Sequence, residues 1–134
     1  MMHLDAKHTE NVDETYETKL LTQITNYSLI KKPDIVIFED YNKGFLTQNI
    51  IAQTMEICIK SNIPTSVDPE RKNFFSYKYV TLFKPDLHEV FTSLNILPGK
   101  VSGYTLPDMH EQLKEKLSHK ISMITLSAKG ISYQ

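Results

Sequence analysis

Glycine is scarce in this chain, with four among 134 residues, at Gly44, Gly99, Gly103 and Gly130. No pair of them has the spacing of a Gly-x-Gly-x-x-Gly turn or a Walker loop, so any phosphate must be held by other means. Cysteine is scarcer still. Cys58 stands alone, which excludes an intrachain disulfide and fits a reducing cytosol. Its neighbours Ile57 and Ile59 mark a buried thiol rather than a nucleophile. No apolar run approaches the ~20 residues of a membrane span, and the polar stretch from Met1 to Asp13 has no signal-peptide core. A net charge of −1 gives no overall attraction to nucleic acid or to an anionic membrane. The histidines at 3, 8, 88, 110 and 119 have no metal-site spacing, and most read as solvated.

What remains is ordinary for one soluble domain: 40% hydrophobic and 23% charged residues. Tyr16, Leu20, Ile24 and Tyr27 recur at helical spacing within a helix over 13–31, opened by an Asn11–Glu14 capping box and ended before Pro33. A strand over 34–39 follows. Thr47 caps a helix over 48–61 whose stripe is Ile51, Met55, Cys58 and Ile59, widened by Ile50 and Ile57. A strand over 64–67 leads into the basic, aromatic stretch 70–79, which reads as a helical turn or ordered loop packed in place rather than as an RNA surface. A strand over 80–84, a helix from Asp86 to Leu94 and breaks at Pro98-Gly99 and Ser102-Gly103 come next. Pro107 opens a helix to His119 with Met109, Leu113 and Leu117 inward. A strand over 121–127, a turn and a returning strand from Ile131 close the chain. Alternating helices and strands predict an α/β fold with a mostly parallel sheet.

Open α/β sheets bind ligands beyond the carboxyl ends of their strands. The strand ends here run into Glu39-Asp40, Asp68-Pro69 and Lys84-Pro85-Asp86. Asp86 and Glu89, three apart on a first helical turn, face the same way and suit a hydrated Mg²⁺; a capping box explains the same pair without a ligand. Asp40, Lys43 and Gly44 form a turn that suits a phosphate or sugar hydroxyls, or simply a solvated turn. Thr125, Ser127, Lys129 and Gly130 supply hydroxyls, a cation and a glycine at the last strand end, a pattern able to cradle phosphate.

Taken in order, these segments (Ile37 to Gly44, Ile63 to Pro69, Leu82 to Glu89, Ile124 to Gly130) resemble consecutive motifs of the ribokinase-like PfkB carbohydrate kinases. Within that family they are most similar to the heptose-phosphate kinase domain of the ADP-heptose synthases. The resemblance implies a three-layer αβα fold, a partial kinase domain over 1–134, and Mg²⁺-dependent phosphoryl transfer from ATP to a sugar hydroxyl. It implies a nucleotide site at Asp86, Leu87, His88, Glu89, Thr125, Ser127 and Gly130, with Asp86 and Glu89 at the metal. Asp40, Lys43 and Asp68 would line the substrate or phosphate cleft. The partners implied are a nucleotide and a sugar phosphate in the cytoplasm, with no nucleic acid and no membrane.

Two departures stand out. Asp86 occupies a position where the family has Asn, putting an acid beside anionic phosphates. The family's Gly-Ala-Gly-Asp anion hole and base do not occur in this sequence, nor do its N-terminal Gly-Gly sugar-binding region and lid sheet. Phosphoryl transfer depends on such donors, so the chain alone is expected to be inactive. The alternative is a non-catalytic binding or assembly module derived from a kinase, with self-association through a sheet edge as a further expectation. A phosphoacceptor receiver domain fails on order, because its Lys-Pro pair would follow the Thr/Ser strand, whereas Lys84-Pro85 precedes Thr125.

Overall fold

The computed structural model describes residues 2–4, 14–39, 46–96 and 106–134. Their strands are β1 (Met2–Leu4), β2 (Val36–Glu39), β3 (Thr65–Asp68), β4 (Leu82–Phe83), β5 (Ile121–Thr125) and β6 (Ile131–Tyr133). The helices are α1 (Glu14–Lys31), α2 (Gln48–Lys60), α3 (Leu87–Ser93) and α4 (Leu106–Leu117). The strands form one sheet in sequence order; β1 to β5 pair in parallel and β6 returns antiparallel to β5. This is the expected α/β architecture with a mostly parallel sheet.

One in-register row sets the core. Phe38 pairs with Val67 and Val67 with Phe83, and all three are fully buried. Tyr77 meets Phe38 edge-on at 5.4 Å and Phe74 meets Phe83 at 5.1 Å, so the aromatic stretch between β3 and β4 packs into the core as expected. A short 3₁₀ turn, Arg71–Asn73, starts that stretch. Asn73 ties it back by donating from Nδ2 to the Leu46 carbonyl at 2.6 Å. Cys58 is buried, and desolvation pushes its thiol up to about 11, as befits an inert core residue.

Several expectations are corrected. β1 falls inside the stretch read only as a polar N-terminus; three residues are too few to show alternation, and the strand is defined by pairing with β2. The strand expected over 80–84 contracts to Leu82–Phe83, because the Thr81 and Thr65 hydroxyls each accept the other's backbone N–H, at 3.0 and 3.1 Å respectively, in place of ladder bonds. In α1, Tyr16 and Tyr27 are solvent-exposed. An 18-residue helix is roughly 27 Å long against roughly 13 Å for a four-residue strand, and among its described apolar side chains Leu20 and Ile24 are the ones that reach the core. Ile59, at the end of α2, is likewise exposed. Among the histidines, of which most were expected to be solvated, His110 and His119 are buried. Desolvation lowers both, His119 to about 4 with the charges of Lys114 and His110 contributing. Asn11, and with it the expected cap to Glu14, and the Pro98 to Gly103 breaks lie outside the described residues.

Thr47 does two jobs at the start of α2. Its hydroxyl accepts the Ile50 N–H at 3.2 Å, capping the helix, and donates to Glu17 Oε1 on α1 at 2.9 Å. Replacing Thr47 by Ala is therefore expected to cost about 1 kcal/mol in urea unfolding, while Thr47→Ser retains most of that stability. An unchanged unfolding midpoint in Thr47→Ala would show that the cap contributes nothing.

Candidate functional site

The register that buries Phe38, Val67 and Phe83 puts the next residue of each segment, Glu39, Asp68 and Lys84, at the carboxyl edge. Asp68 reaches solvent, yet partial desolvation raises its carboxyl; Lys84 opposes that shift, and the charges of Glu39 and Asp86 add to it. The edge is thus an acidic rim with Lys84 set among the carboxylates.

From β4 the chain passes Pro85 and turns into α3 at Asp86. Asp86 has extended backbone and is the N-cap: its Oδ1 accepts the Glu89 N–H at 2.8 Å, while Glu89 Oε1 accepts the Asp86 N–H at 2.7 Å. The capping box anticipated from spacing is therefore formed. Glu89 is the more perturbed of the two. Burial pushes it up to about 7, helped by the Asp86 charge and only partly opposed by the Asp86 N–H it accepts.

A second seam brings β5 alongside. Asp86 bridges Thr125 in parallel, and the Thr125 N–H donates to the Pro85 carbonyl at 3.0 Å. Beyond Thr125 the chain makes a tight 3₁₀ turn, Ser127–Lys129, closed by the Leu126 N–H donating to the Gly130 carbonyl at 2.8 Å. Gly130 has φ +96, which explains a glycine there. Ser127, at φ +57, takes a left-handed conformation that a non-glycine residue adopts at some cost.

Together α3 and the β5–β6 turn enclose an open cleft of about 900 Å³. Its polar wall is Asp86, His88, Thr125, Ser127 and Gly130; its apolar wall is Leu87, Phe91, Leu126 and Ile131. Six of the seven residues assigned to a nucleotide site from sequence meet here. The seventh, Glu89, does not line the cleft because its carboxylate is turned back into the cap. Asp68 stands one strand away, and Asp40 and Lys43 lie outside the described residues. Sequence reasoning missed Phe91, Leu126 and Ile131. The available signals were Phe91 one helical turn beyond Leu87, and two apolar residues bracketing the Ser127–Gly130 turn.

Among the described residues no group of three or more His, Cys, Asp or Glu could hold a metal. Asp86 and Glu89 thus fit a metal only as two carboxylates completed by ligand oxygens and water, which is how Mg²⁺ is commonly held. Among the same residues no helix is long and apolar enough to cross a membrane.

No protein-family model matches the chain. The bifunctional protein HldE of Campylobacter concisus is 33% identical over 98 residues, 72% of this chain and 20% of that protein. HldE of Aliarcobacter butzleri is 28% identical over 132 residues, 98% of this chain and 27% of that protein. The chain therefore spans about a quarter of the length of the curated relatives it matches. Among solved structures, phosphofructokinase-2 of Escherichia coli in complex with potassium superposes with a TM-score of 0.69 at 15% identity, over 92% of this chain and 40% of that one.

The Glu89 shift has a signed consequence for stability. A carboxyl raised from 4.5 to about 7 on folding contributes stability that is present below pH 4.5 and lost as pH rises through about 7. Glutamine keeps the oxygen that accepts the Asp86 N–H and never ionises. In metal-free buffer, Glu89→Gln and the native chain should unfold at the same urea concentration at pH 4.5, and the variant at a higher one at pH 8. His119 acts in the opposite direction in both proteins and cancels in the difference. A difference that does not change with pH would contradict the assignment.

Proposed function

We propose, for a chain that has the ribokinase-like fold and is similar in sequence to part of the HldE proteins, that the cleft between α3 and the β5–β6 turn is a Mg·nucleotide site of a sugar-kinase-like domain. The observation that carries this reading is the convergence of Asp86, His88, Thr125, Ser127 and Gly130 on one cleft with an apolar wall. Its volume of about 900 Å³ suits a ligand of nucleotide size. The apolar wall of Leu87, Phe91, Leu126 and Ile131 suits a base, and the hydroxyls of Thr125 and Ser127 suit phosphate or ribose oxygens.

Mg²⁺, when bound, supplies neutralising charge for the phosphates. The residues that would hold it are Asp86 and Glu89. Glu89 binds its proton near neutral pH in the free chain, so metal binding releases that proton. Asp86 already lines the cleft wall, whereas Glu89 would have to turn out of the cap to reach a metal there. Asp68 and, from the sequence reading, Asp40 and Lys43 belong to the acceptor side, where a sugar phosphate, in the leading reading a heptose phosphate, would be handled in the cytoplasm.

Phosphoryl transfer is not proposed for this chain alone. It carries no Gly-Ala-Gly-Asp segment, and loss of an anion hole and base removes several kcal/mol of transition-state stabilisation. The alternative of a binding or assembly module is favoured by one observation. On β6, which among the described residues pairs only with β5, Ile131 and Tyr133 are 58% and 76% exposed. Such an edge is also where self-association would occur.

Asp86 decides how the site uses metal. A carboxylate about 4 Å from a phosphate costs about 1 kcal/mol in water, and more when partly buried, unless a cation lies between them. Mg²⁺ titrations of ATP binding should therefore show a steeper metal dependence in the native chain than in Asp86→Asn. Glu89→Gln should weaken Mg·ATP binding despite its gain in stability. Parallel Mg²⁺ dependence in native and Asp86→Asn proteins would reduce Asp86 to a helix cap.

A further inference from the structure

The returning strand β6 forms part of the cleft wall through Ile131 and is preceded by Gly130, yet no β6 residue belongs to the apolar core. Its inward side chain is Ser132, half-buried between the exposed Ile131 and Tyr133. Main-chain bonds hold β6 to β5: Gln134 and Ser122 exchange N–H donors at 2.9 Å, and Leu126 donates to Gly130 at the turn. A two-stranded antiparallel pairing at a sheet edge is weak without side-chain burial.

The missing anchor comes from α4. His110 is buried beneath the hairpin. Its Nε2 lies 2.9 Å from Ser132 Oγ on β6, and its Nδ1 is hydrogen-bonded to Ser122 Oγ on β5. A neutral imidazole offers one donor and one acceptor, and a hydroxyl serves as either, so both tautomers satisfy both serines. Burial favours the neutral ring.

We propose that His110 is a positioning residue for the cleft: by clamping Ser132 to α4 it holds β6, and with it Gly130 and Ile131, in the place that closes the cleft wall. The inference rests on the reading of the cleft as a nucleotide site. What it adds is that the wall's geometry is set by a hydrogen-bond clamp from a helix that does not reach the cleft through its own side chains. The Nε2 contact to the edge strand carries the effect, and the Nδ1 contact to Ser122 fixes the ring.

Amide side chains separate the two contacts, since Gln presents its terminal amide near the Nε2 position and Asn near the Nδ1 position. The experiment measures, on the 134-residue chain, the Kd for Mg·ATP, the hydrogen exchange of the β6 amides and the melting temperature. Ser132→Ala and His110→Asn should raise Kd and speed β6 exchange by about three- to tenfold, the scale of one hydrogen bond. His110→Gln should stay within about twofold of the native chain in both, even though Gln and Asn lower the melting temperature similarly. A merely structural histidine would make Gln and Asn equivalent in Kd and exchange, and that result overturns the proposal. Unchanged β6 exchange in Ser132→Ala, a one-atom truncation outside the apolar core with little power to unfold the chain, overturns it too. A native chain that binds no Mg·ATP would overturn the reading of the cleft instead; the exchange results alone would then uphold or overturn the clamp.

Discussion

Parallel pairing in one register is the constraint from which the rest follows. Phe38, Val67 and Phe83 occupy equivalent positions on adjacent strands and are fully buried, each worth about 1.5–3 kcal/mol when removed from water. A slip by one residue in any of these strands would turn its buried side chain to the opposite face. The same register brings the strand ends level. Glu39, Asp68 and Lys84 follow the buried row directly, and Asp86 comes two residues beyond Lys84, bridged to Thr125 on β5. The core and the polar edge are one arrangement seen at successive positions along the strands.

That edge carries an electrostatic tension. Asp68 and Glu89 are both raised by desolvation and neighbouring acids, with Lys84 as the counter-charge acting on Asp68. The capping box gives Asp86 and Glu89 a structural use in the absence of any ligand. A cation delivered with a polyphosphate would relieve the same crowding. The helix cap is the use the structure shows, and under the proposed reading the same pair would serve a metal in its place; spacing alone leaves both open.

Much of this was legible in the sequence, for identifiable reasons. Helices with a strong apolar stripe and clear ends were readable: Thr47 and Asp86 are the caps their positions implied, and Met109, Leu113 and Leu117 face inward. The 125–130 turn was readable from its glycine and hydroxyls. Short or pairing-dependent features were not. β1 has three residues, β4 has two, and the Thr65–Thr81 exchange that trims β4 joins residues 16 apart. His110 was not singled out as buried because its serine partners lie 12 and 22 residues away, although its place beside Met109 on the inward stripe of α4 was a usable signal. The apolar cleft wall was missed because Phe91, Leu126 and Ile131 come from three separate segments.

The central claim is that one cleft, between α3 and the β5–β6 turn, receives the nucleotide. Backbone amide chemical shifts of the labelled chain, recorded as Mg·ATP is added, test it most directly. The account predicts saturable shifts concentrated in 86–91 and 125–131, with the amino-terminal ends of the parallel strands unaffected. Shifts clustered at that opposite edge, or none at millimolar nucleotide, would contradict it.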